Sequence, residues 1–310
     1  MSDVPATRKT ALLVVYFMED KDIDVLDLHL AAVRRHTADQ DYTILAVANR
    51  VSPFIRARLA KEPRLELVDI PAVEVTGSEE HSHYLDALSR HAVAQGYSHI
   101  VTYDCDAFPV RDGWLAELLD MLDAETPVVA VFRAENGDTW LPHPLMTCFS
   151  TAFYRQHAFS FFPDAATQAS PEFRGFIQQT RQIVDSGIGL GYYLHRAGIK
   201  WRRLLRSNRV NDHYLLAGIY HDLVFHLGSM SRAAKIYRLD RLRDWRIRAV
   251  SLFRYYVYDP PKDSWVRRLT DLVEQPALAS LARRNARTYA QIRDALTRDA
   301  EAYIRRLRGV

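Results

Sequence analysis

The chain has 310 residues, of which 48% are hydrophobic and 25% charged, and its formal net charge at neutral pH is +3. These proportions are those of an ordinary globular protein and exclude a chain that is disordered throughout. No apolar run is long enough to span a membrane, and residues 1–10 lack the apolar core of a signal peptide. Two cysteines, Cys105 and Cys148, imply no disulfide framework. A cytoplasmic protein is therefore predicted.

Charge is distributed unevenly along the chain. Residues 232–310 contain 17 arginines and two lysines against nine acidic residues, a net charge of +10 that leaves −7 for residues 1–231. This asymmetry predicts a globular body followed by a basic helical extension. The arginines are interpreted either as solvated helix faces or as a surface that meets anionic lipid at the inner face of the membrane or another subunit. Nucleic-acid binding is not expected, because no recognised module accompanies the charge.

Short apolar runs alternate with helical patterns over the first 132 residues. Strands are predicted at 11–17, 43–48, 65–70, 98–103 and 127–132. Helices are predicted at 25–36, 51–60 and 78–95, and a further helix follows Asp112. This alternation predicts an α/β fold, with a mostly parallel sheet and helices on both faces.

The pattern becomes less regular after residue 132. Strands are predicted at 147–154, 200–205 and 223–226, and a loop at 159–175. A helix is predicted to begin at Asp185-Ser186, run to Arg196 and end at Gly198. Beyond residue 231 the pattern is helical.

Asp104-Cys105-Asp106 directly follows the predicted strand at 98–103. Ligands of open α/β sheets bind outside the carboxyl ends of the strands, where this motif lies. Two carboxylates one residue apart can bind a hard divalent cation, and that cation can bridge a diphosphate. A solvated acidic turn is the alternative interpretation, since the pattern alone is common.

His226 lies on a short apolar strand and is followed, two residues later, by Gly228. A neutral imidazole is a suitable third ligand for Mn²⁺ beside two carboxylates, although a lone histidine on such a strand is often a core residue. We expect His226 to meet Asp104 and Asp106 in one cleft. Arg232 is placed to contact the diphosphate, with Ser229 and Ser231 as further hydrogen-bonding groups.

The Asp-x-Asp, its strand and the late His-x-Gly together resemble the GT-A glycosyltransferases, and in particular bacterial enzymes grouped with family 2. The resemblance spans about residues 11–232. It implies a catalytic domain over 1–231, with a nucleotide-sugar half at about 1–132 and an acceptor half at 133–231 that supplies the third metal ligand. It further implies Mn²⁺ or Mg²⁺ as the metal, a uridine- or guanosine-diphosphate sugar as donor, and a glycan, a lipid-linked sugar or a small metabolite as acceptor.

The sequence departs from this family at two places. Asn49-Arg50 stands where an acidic residue often follows the second strand, and Asp185 is followed by Ser186-Gly187 where a Glu-Asp pair is usual. Asp185 is the candidate general base of an inverting transfer, or else the N-cap of the following helix.

Further candidates line the expected donor and acceptor sites. Tyr16 and Phe17, which end the first strand, either stack on the nucleotide base or pack in the core. His83 either contacts the donor or lies exposed at a helix start. The segment from Trp140 to His143 is predicted to contact the acceptor.

Two other functions fit parts of the pattern. A sugar nucleotidyltransferase would need a glycine-rich basic loop after the first strand, whereas residues 18–22 are acidic and lack glycine. A non-catalytic protein could bind a membrane or a partner, or form a homodimer, through stretches at 240–248 and 303–308 that mix arginine with apolar residues.

Overall fold

A seven-stranded sheet forms the centre of the structure, a computed structural model that describes residues 8–228, 236–261 and 263–310. The strands are β1 (Thr10–Tyr16), β2 (Tyr42–Ala48), β3 (Leu65–Leu67), β4 (His99–Asp104), β5 (Ala107–Pro109), β6 (Val128–Val131), β7 (His143–Ser150), β8 (Arg202–Leu204), β9 (Gly218–Tyr220) and β10 (Val224–His226). The helices are α1 (Ile23–His36), α2 (Pro53–Leu59), α3 (Ser78–Ala94), α4 (Trp114–Asp120), α5 (Thr151–His157), α6 (Ala165–Ala169), α7 (Pro171–Thr180), α8 (Ile188–Ala197), α9 (Arg238–Arg243), α10 (Trp245–Tyr256), α11 (Trp265–Arg298) and α12 (Ala300–Arg308).

The large sheet has the strand order β3-β2-β1-β4-β7-β6-β8, and a small second sheet has the order β5-β10-β9. In the large sheet β7 is antiparallel to both of its neighbours, while the other adjacent pairs are parallel. Six of the seven strands therefore run in one direction. This confirms the predicted mostly parallel α/β sheet.

Strand β1 is buried along its whole length because helices cover both faces of the sheet. Leu12 and Val14 belong to a core cluster that includes residues of α1, α2 and α4. Leu13 and Val15 belong to a second cluster, with residues of α3, α5 and α8. The alternation of successive side chains between two cores explains why this strand is an unbroken apolar run in the sequence.

Two predictions for the less regular segment were wrong. The strand expected at 147–154 begins earlier, at His143, and gives way to α5 because the Ser150 hydroxyl caps that helix by accepting from Phe153 N at 3.0 Å. The loop expected at 159–175 contains α6 and the start of α7, where Ser170 is the N-cap and Pro171 the first residue. These short helices are marked by their caps rather than by apolar periodicity.

The end of the chain packs against the body. Side chains of α11 and α12 share a core cluster with β5 and β10, and Ile292, Leu296 and Leu307 are almost completely buried in it. Arg293 is paired with both Asp22 and Asp24 of the body. The stretch at 303–308 is therefore a helix docked on its own domain.

The predicted boundary between residues 231 and 232 lies outside the described residues. No helix in the described ranges is long and apolar enough to cross a membrane.

Candidate functional site

Two acids and a histidine meet where β4 leaves the large sheet. Asp104 is the last residue of β4, and the chain turns through Cys105 and Asp106 into β5. Strand β5 pairs antiparallel with β10, with Ala107 opposite His226. The pairing of these two short strands carries His226, more than a hundred residues away along the chain, to the position next to Asp106.

The backbone after β10 fixes the orientation of Asp106. Leu227 N donates to the Asp106 carbonyl at 3.0 Å, and Gly228 N donates to the carboxylate oxygen Oδ2 at 3.0 Å. Gly228 has a φ of +80°, a left-handed conformation that favours glycine. The glycine two residues after the histidine therefore turns an amide toward the acid.

The three side chains form a compact group of metal-ligand atoms. His226 Nε2 lies 3.5 Å from Asp104 Oδ2 and 3.3 Å from Asp106 Oδ1. One ligand atom from each residue lies within 4.8 Å of the other two, and this is the one such group of three found within the described part of the chain. Two carboxylate oxygens and one imidazole nitrogen suit Mn²⁺ or Mg²⁺. The donor set therefore fits a divalent cation.

The charges of the group are mutually dependent. Burial disfavours the charged form of His226, but Asp106 and Asp104 outweigh that effect and raise its pKa to about 9. Burial raises the pKa values of Asp104 and Asp106, and the contact with His226 more than reverses this, so both lie below the usual value. His226 thus carries a proton when no cation is present, and a cation that binds Nε2 takes the place of that proton.

A cavity of about 440 Å³ opens over this group. It lies at the carboxyl ends of β1, β2 and β4 and beside the first turn of α3, as expected for a ligand site in an open α/β sheet. Its lining comprises Val15, Phe17, Asn49, Arg50, Gly77, Ser78, Glu80, His81, Asp104, Cys105, Asp106, Arg133, Asn136, His143, Pro144, Asp185, Ser186, Leu215 and His226.

Only one of the two aromatic residues predicted to stack on a base lies in this cavity. Phe17 lines it with 36% of its surface exposed. Tyr16 is completely buried, and its hydroxyl lies 3.0 Å from Nε2 of His29 in the core. The stacking prediction for Tyr16 is corrected to core packing, because consecutive strand residues point to opposite faces of the sheet.

The histidine that reaches the cavity from α3 is His81. Its Nε2 lies 3.9 Å from Asp104 Oδ1, and its Nδ1 lies 3.2 Å from the Ser186 hydroxyl. His83, which the sequence analysis favoured, is half-buried outside the cavity and contacts the ring of Tyr84. Side chains two positions apart on an α-helix point about 200° away from each other, so His81 and His83 cannot face the same site. The sequence carries no signal for this choice, because it depends on how α3 is rotated against the sheet.

Asp185 lines the cavity from the loop before α8, and Gly187, rather than Asp185, is the N-cap of that helix. The Asp185 oxygen Oδ1 accepts hydrogen bonds from the Ser78 hydroxyl and, at 2.8 Å, from Ser186 N. Oδ2 of Asp185 has no hydrogen-bond partner among the described residues. The carboxylate is therefore held in place by one oxygen, and the other is available.

The sequence analysis missed a buried cation. Arg133 follows β6, is 8% exposed, lines the cavity and has no hydrogen-bond partner for Nε within the described ranges. An arginine just after a buried strand at the carboxyl edge of the sheet was the available signal.

Of the segment predicted to contact an acceptor, only His143 reaches the cavity. His143 Nδ1 accepts from Leu145 N at 3.1 Å, which places a proton on Nε2, and burial lowers the pKa of His143 well below the usual value. Trp140 instead packs against α8, and its indole donates to the Gly191 carbonyl at 3.0 Å. Ser229, Ser231 and Arg232 lie outside the described residues.

No protein-family model matches the chain, and no curated protein matches it. Among solved structures, it is similar to the mannosyltransferase PcManGT from Pyrobaculum calidifontis in complex with GDP-Man and Mn²⁺, with 16% identity, 49% of this chain and 47% of that chain covered, and a TM-score of 0.37. It is also similar to the galactosyltransferase LgtC in complex with donor and acceptor sugar analogues, with 11% identity, 64% and 73% covered, and a TM-score of 0.39. A third similar structure is the bifunctional glycosyltransferase WbbM without ligand, with 16% identity, 50% and 34% covered, and a TM-score of 0.36.

These three structures are glycosyltransferases. The match spans less than half of the mannosyltransferase and about a third of WbbM.

Proposed function

We propose that the chain is a metal-dependent glycosyltransferase that moves a sugar from a nucleoside-diphosphate sugar to a hydroxyl group of an acceptor. The observation that supports this most is the convergence of Asp104, Asp106 and His226 at the carboxyl end of a central strand, inside an open cavity. The cavity volume of about 440 Å³ falls in the range of small-molecule and cofactor sites. A cation-binding group, whose cation can stabilise a diphosphate, and an available carboxylate in the same cavity are the parts that such a transfer needs.

Asp104, Asp106 and His226 would hold Mn²⁺ or Mg²⁺, which when bound supplies the positive charge that stabilises a departing diphosphate. The protein contributes the rigidity of this arrangement. Pairing of β5 with β10 holds His226, and the amide of Gly228 holds Asp106. Ligands fixed before binding cost little reorganisation when the charge develops.

The donor nucleotide would occupy the side of the cavity next to β1 and β2. Phe17 offers an exposed ring for base stacking, and Asn49 follows β2 beside it, because Asn49 N donates to the Tyr16 carbonyl at 2.9 Å. Arg50 is paired with Glu80 at 2.9 Å, so an acidic side chain from α3 reaches the place where the sequence lacks an acid after the second strand. A uridine or guanosine diphosphate fits this polar surround.

Asp185 is proposed as the general base of an inverting transfer. An attacking hydroxyl must lose its proton to a carboxylate as it bonds to the anomeric carbon, and Oδ2 of Asp185 is the available oxygen. His143 and Arg133 line the same cavity and can donate hydrogen bonds to an acceptor. The acceptor class remains a hydroxyl of a glycan, a lipid-linked sugar or a small metabolite. Contact between Arg232 and the diphosphate also remains a proposal.

The domain organisation follows from these roles. Residues 1–132 would form the nucleotide-sugar half, residues 133–231 the acceptor half with the third metal ligand, and residues 232–310 an extension. A cytoplasmic location stays a prediction of the sequence. A sugar nucleotidyltransferase is the rival chemistry, and no feature of the described cavity favours it, because the chain after β1 passes through Glu19 and Asp20 without a glycine-rich loop.

The test is a thermal-shift and turnover comparison of the wild type with Asp106→Asn. Uridine and guanosine diphosphates are screened with and without Mn²⁺, followed by the matching nucleotide sugars. A metal concentration about 100 times the Kd would stabilise the wild type by about 2.7 kcal/mol, and Asp106→Asn is expected to abolish this stabilisation. The matched control is Asp39→Asn, an exposed acid between α1 and β2 at the opposite edge of the sheet.

Release of sugar from a donor in the presence of metal, lost in Asp106→Asn and kept in Asp39→Asn, is the expected result. Pyrophosphate release from a nucleoside triphosphate and a sugar phosphate would instead identify a nucleotidyltransferase. Absence of stabilisation by every nucleoside diphosphate, with and without metal, contradicts the proposal.

A further inference from the structure

The basic extension exposes an unusual number of large apolar side chains. Of the 18 exposed large hydrophobic residues in the described part of the chain, 11 lie between Leu242 and Val273. In α11, Trp265 is 71% exposed, Leu269 is 52% exposed and Leu272 is 71% exposed. Their spacing of four and three residues places them on one face of the helix. Exposed apolar groups clustered in this way mark an interaction surface.

The same face of α11 continues into arginines. Arg268, Arg283 and Arg287 are exposed and lie on the same side of α11 as Trp265, Leu269 and Leu272. None of these three arginines has an acidic partner within 4.0 Å among the described residues. We name these six residues the α11 face. From its first to its last residue it is about 33 Å long.

The acids near the α11 face are occupied by other arginines. Asp271 and Glu274 are paired with Arg254 of α10, at 2.7 Å in each case. Asp259 is paired with Arg267, which points about 200° away from Trp265 and therefore lies nearly opposite the face. The arginines of the α11 face therefore present uncompensated positive charge beside exposed tryptophan and leucine.

We propose that the α11 face docks the protein on the surface of a lipid bilayer that contains anionic headgroups. Tryptophan and leucine enter the boundary between headgroups and acyl chains, while arginines contact the lipid phosphates. A second copy of the chain is a poorer occupant. A two-fold contact would place this face against itself, and the face offers arginine and apolar groups but no acid.

The inference concerns a surface remote in sequence from the metal site and does not rest on the proposed activity. It also distinguishes the α11 face from the arginine-rich stretch at 303–308. The stretch at 303–308 is buried on the body through Ile304 and Leu307, whereas Trp265, Leu269 and Leu272 of α11 lie in solvent.

The test is co-sedimentation of the full chain with vesicles of phosphatidylcholine alone and of phosphatidylcholine with phosphatidylglycerol. Arg283→Gln/Arg287→Gln is expected to lower partitioning onto the anionic vesicles roughly 30-fold, and high salt should weaken wild-type binding. Trp265→Ser/Leu269→Ser/Leu272→Ser is expected to lower it roughly 100-fold. The control Phe54→Ser/Leu205→Ser removes apolar side chains that are 57% and 53% exposed elsewhere on the molecule and should bind like the wild type.

Circular dichroism of every variant checks that the fold is kept. We expect it to be kept because the substituted side chains are exposed. Equal binding of the wild type to neutral and anionic vesicles, or wild-type binding by the triple serine variant, overturns the proposal. Sedimentation velocity could give a further contrary outcome: the wild type is a dimer, the triple serine variant is a monomer, and neither protein binds vesicles. That result would assign the face to a second copy of the chain.

Discussion

Acidification from pH 7 to pH 5 should weaken the fold through one buried histidine beneath the candidate site. His29 of α1 is completely buried, lies against the Tyr16 hydroxyl and bonds through Nδ1 to the carbonyl of Ala107, the residue that follows Asp106. Burial is the dominant influence and lowers the pKa of His29 to about 4. An exposed histidine in the unfolded chain has a pKa of about 6.5.

The sign and size of the effect follow from proton linkage. Between these two pKa values the unfolded state binds more protons than the folded state, so the free energy of unfolding falls as the pH falls. At pH 5 the cost relative to pH 7 is about 2 kcal/mol from this residue alone. Protonation at Nε2 removes the acceptor for the Tyr16 hydroxyl, whereas the bond from Nδ1 to the Ala107 carbonyl favours the protonated form and is outweighed by burial.

His29→Asn isolates the effect, because asparagine can donate to the Ala107 carbonyl but does not titrate. Urea unfolding at pH 7 and pH 5, followed by tryptophan fluorescence, gives the change in unfolding free energy for each protein. The variant is expected to be less stable at pH 7 through lost packing, yet to lose about 2 kcal/mol less than the wild type on acidification. The acid-induced loss of the variant is subtracted from that of the wild type. This subtraction cancels the packing loss, which is present at both pH values, and the contributions of other titrating groups that both proteins share.

The exposed His221 has a φ of +52°, which asparagine tolerates, so His221→Asn is the matched control and should keep the wild-type pH dependence. An equal acid-induced loss in the wild type and in His29→Asn would refute the assignment of the effect to His29.

Three further predictions concern the cavity. His81→Ala should lower kcat/KM for the donor roughly tenfold or more, whereas His83→Ala should change it less than about twofold, and steady-state kinetics with the identified donor compare the two. Asp185→Asn should lower kcat by roughly 100-fold to 10,000-fold while the thermal shift produced by donor and metal persists; unchanged kcat would remove Asp185 as the base. Gly187→Ala should destabilise the protein by about 2 kcal/mol or more in thermal unfolding, because its φ is +90° and a Cβ would lie 2.5 Å from the Pro142 carbonyl oxygen.

The fold class could be predicted from local pattern because parallel strands buried on both faces are short continuous apolar runs. The runs at 11–17, 43–48 and 98–103 correspond to β1, β2 and β4 within one residue or two. The prediction failed where short capped helices carry no periodic signal, as at α5 and α6. The placement of Asp104 at a strand end could also be predicted, because Asp104 directly follows the apolar run in the sequence.

The sequence by itself determined the residue types at the site, namely two acids one residue apart, a late histidine followed by a glycine, and a cavity edge at the strand ends. Only the tertiary structure decided which side chains meet. The pairing of β5 with β10 depends on hydrogen bonds between segments more than a hundred residues apart, and such long-range contacts leave no local pattern. The same holds for the choice of His81 over His83, of Phe17 over Tyr16 and for the inclusion of Arg133, because the direction of a side chain is set by the phase of its helix or strand in the assembled sheet.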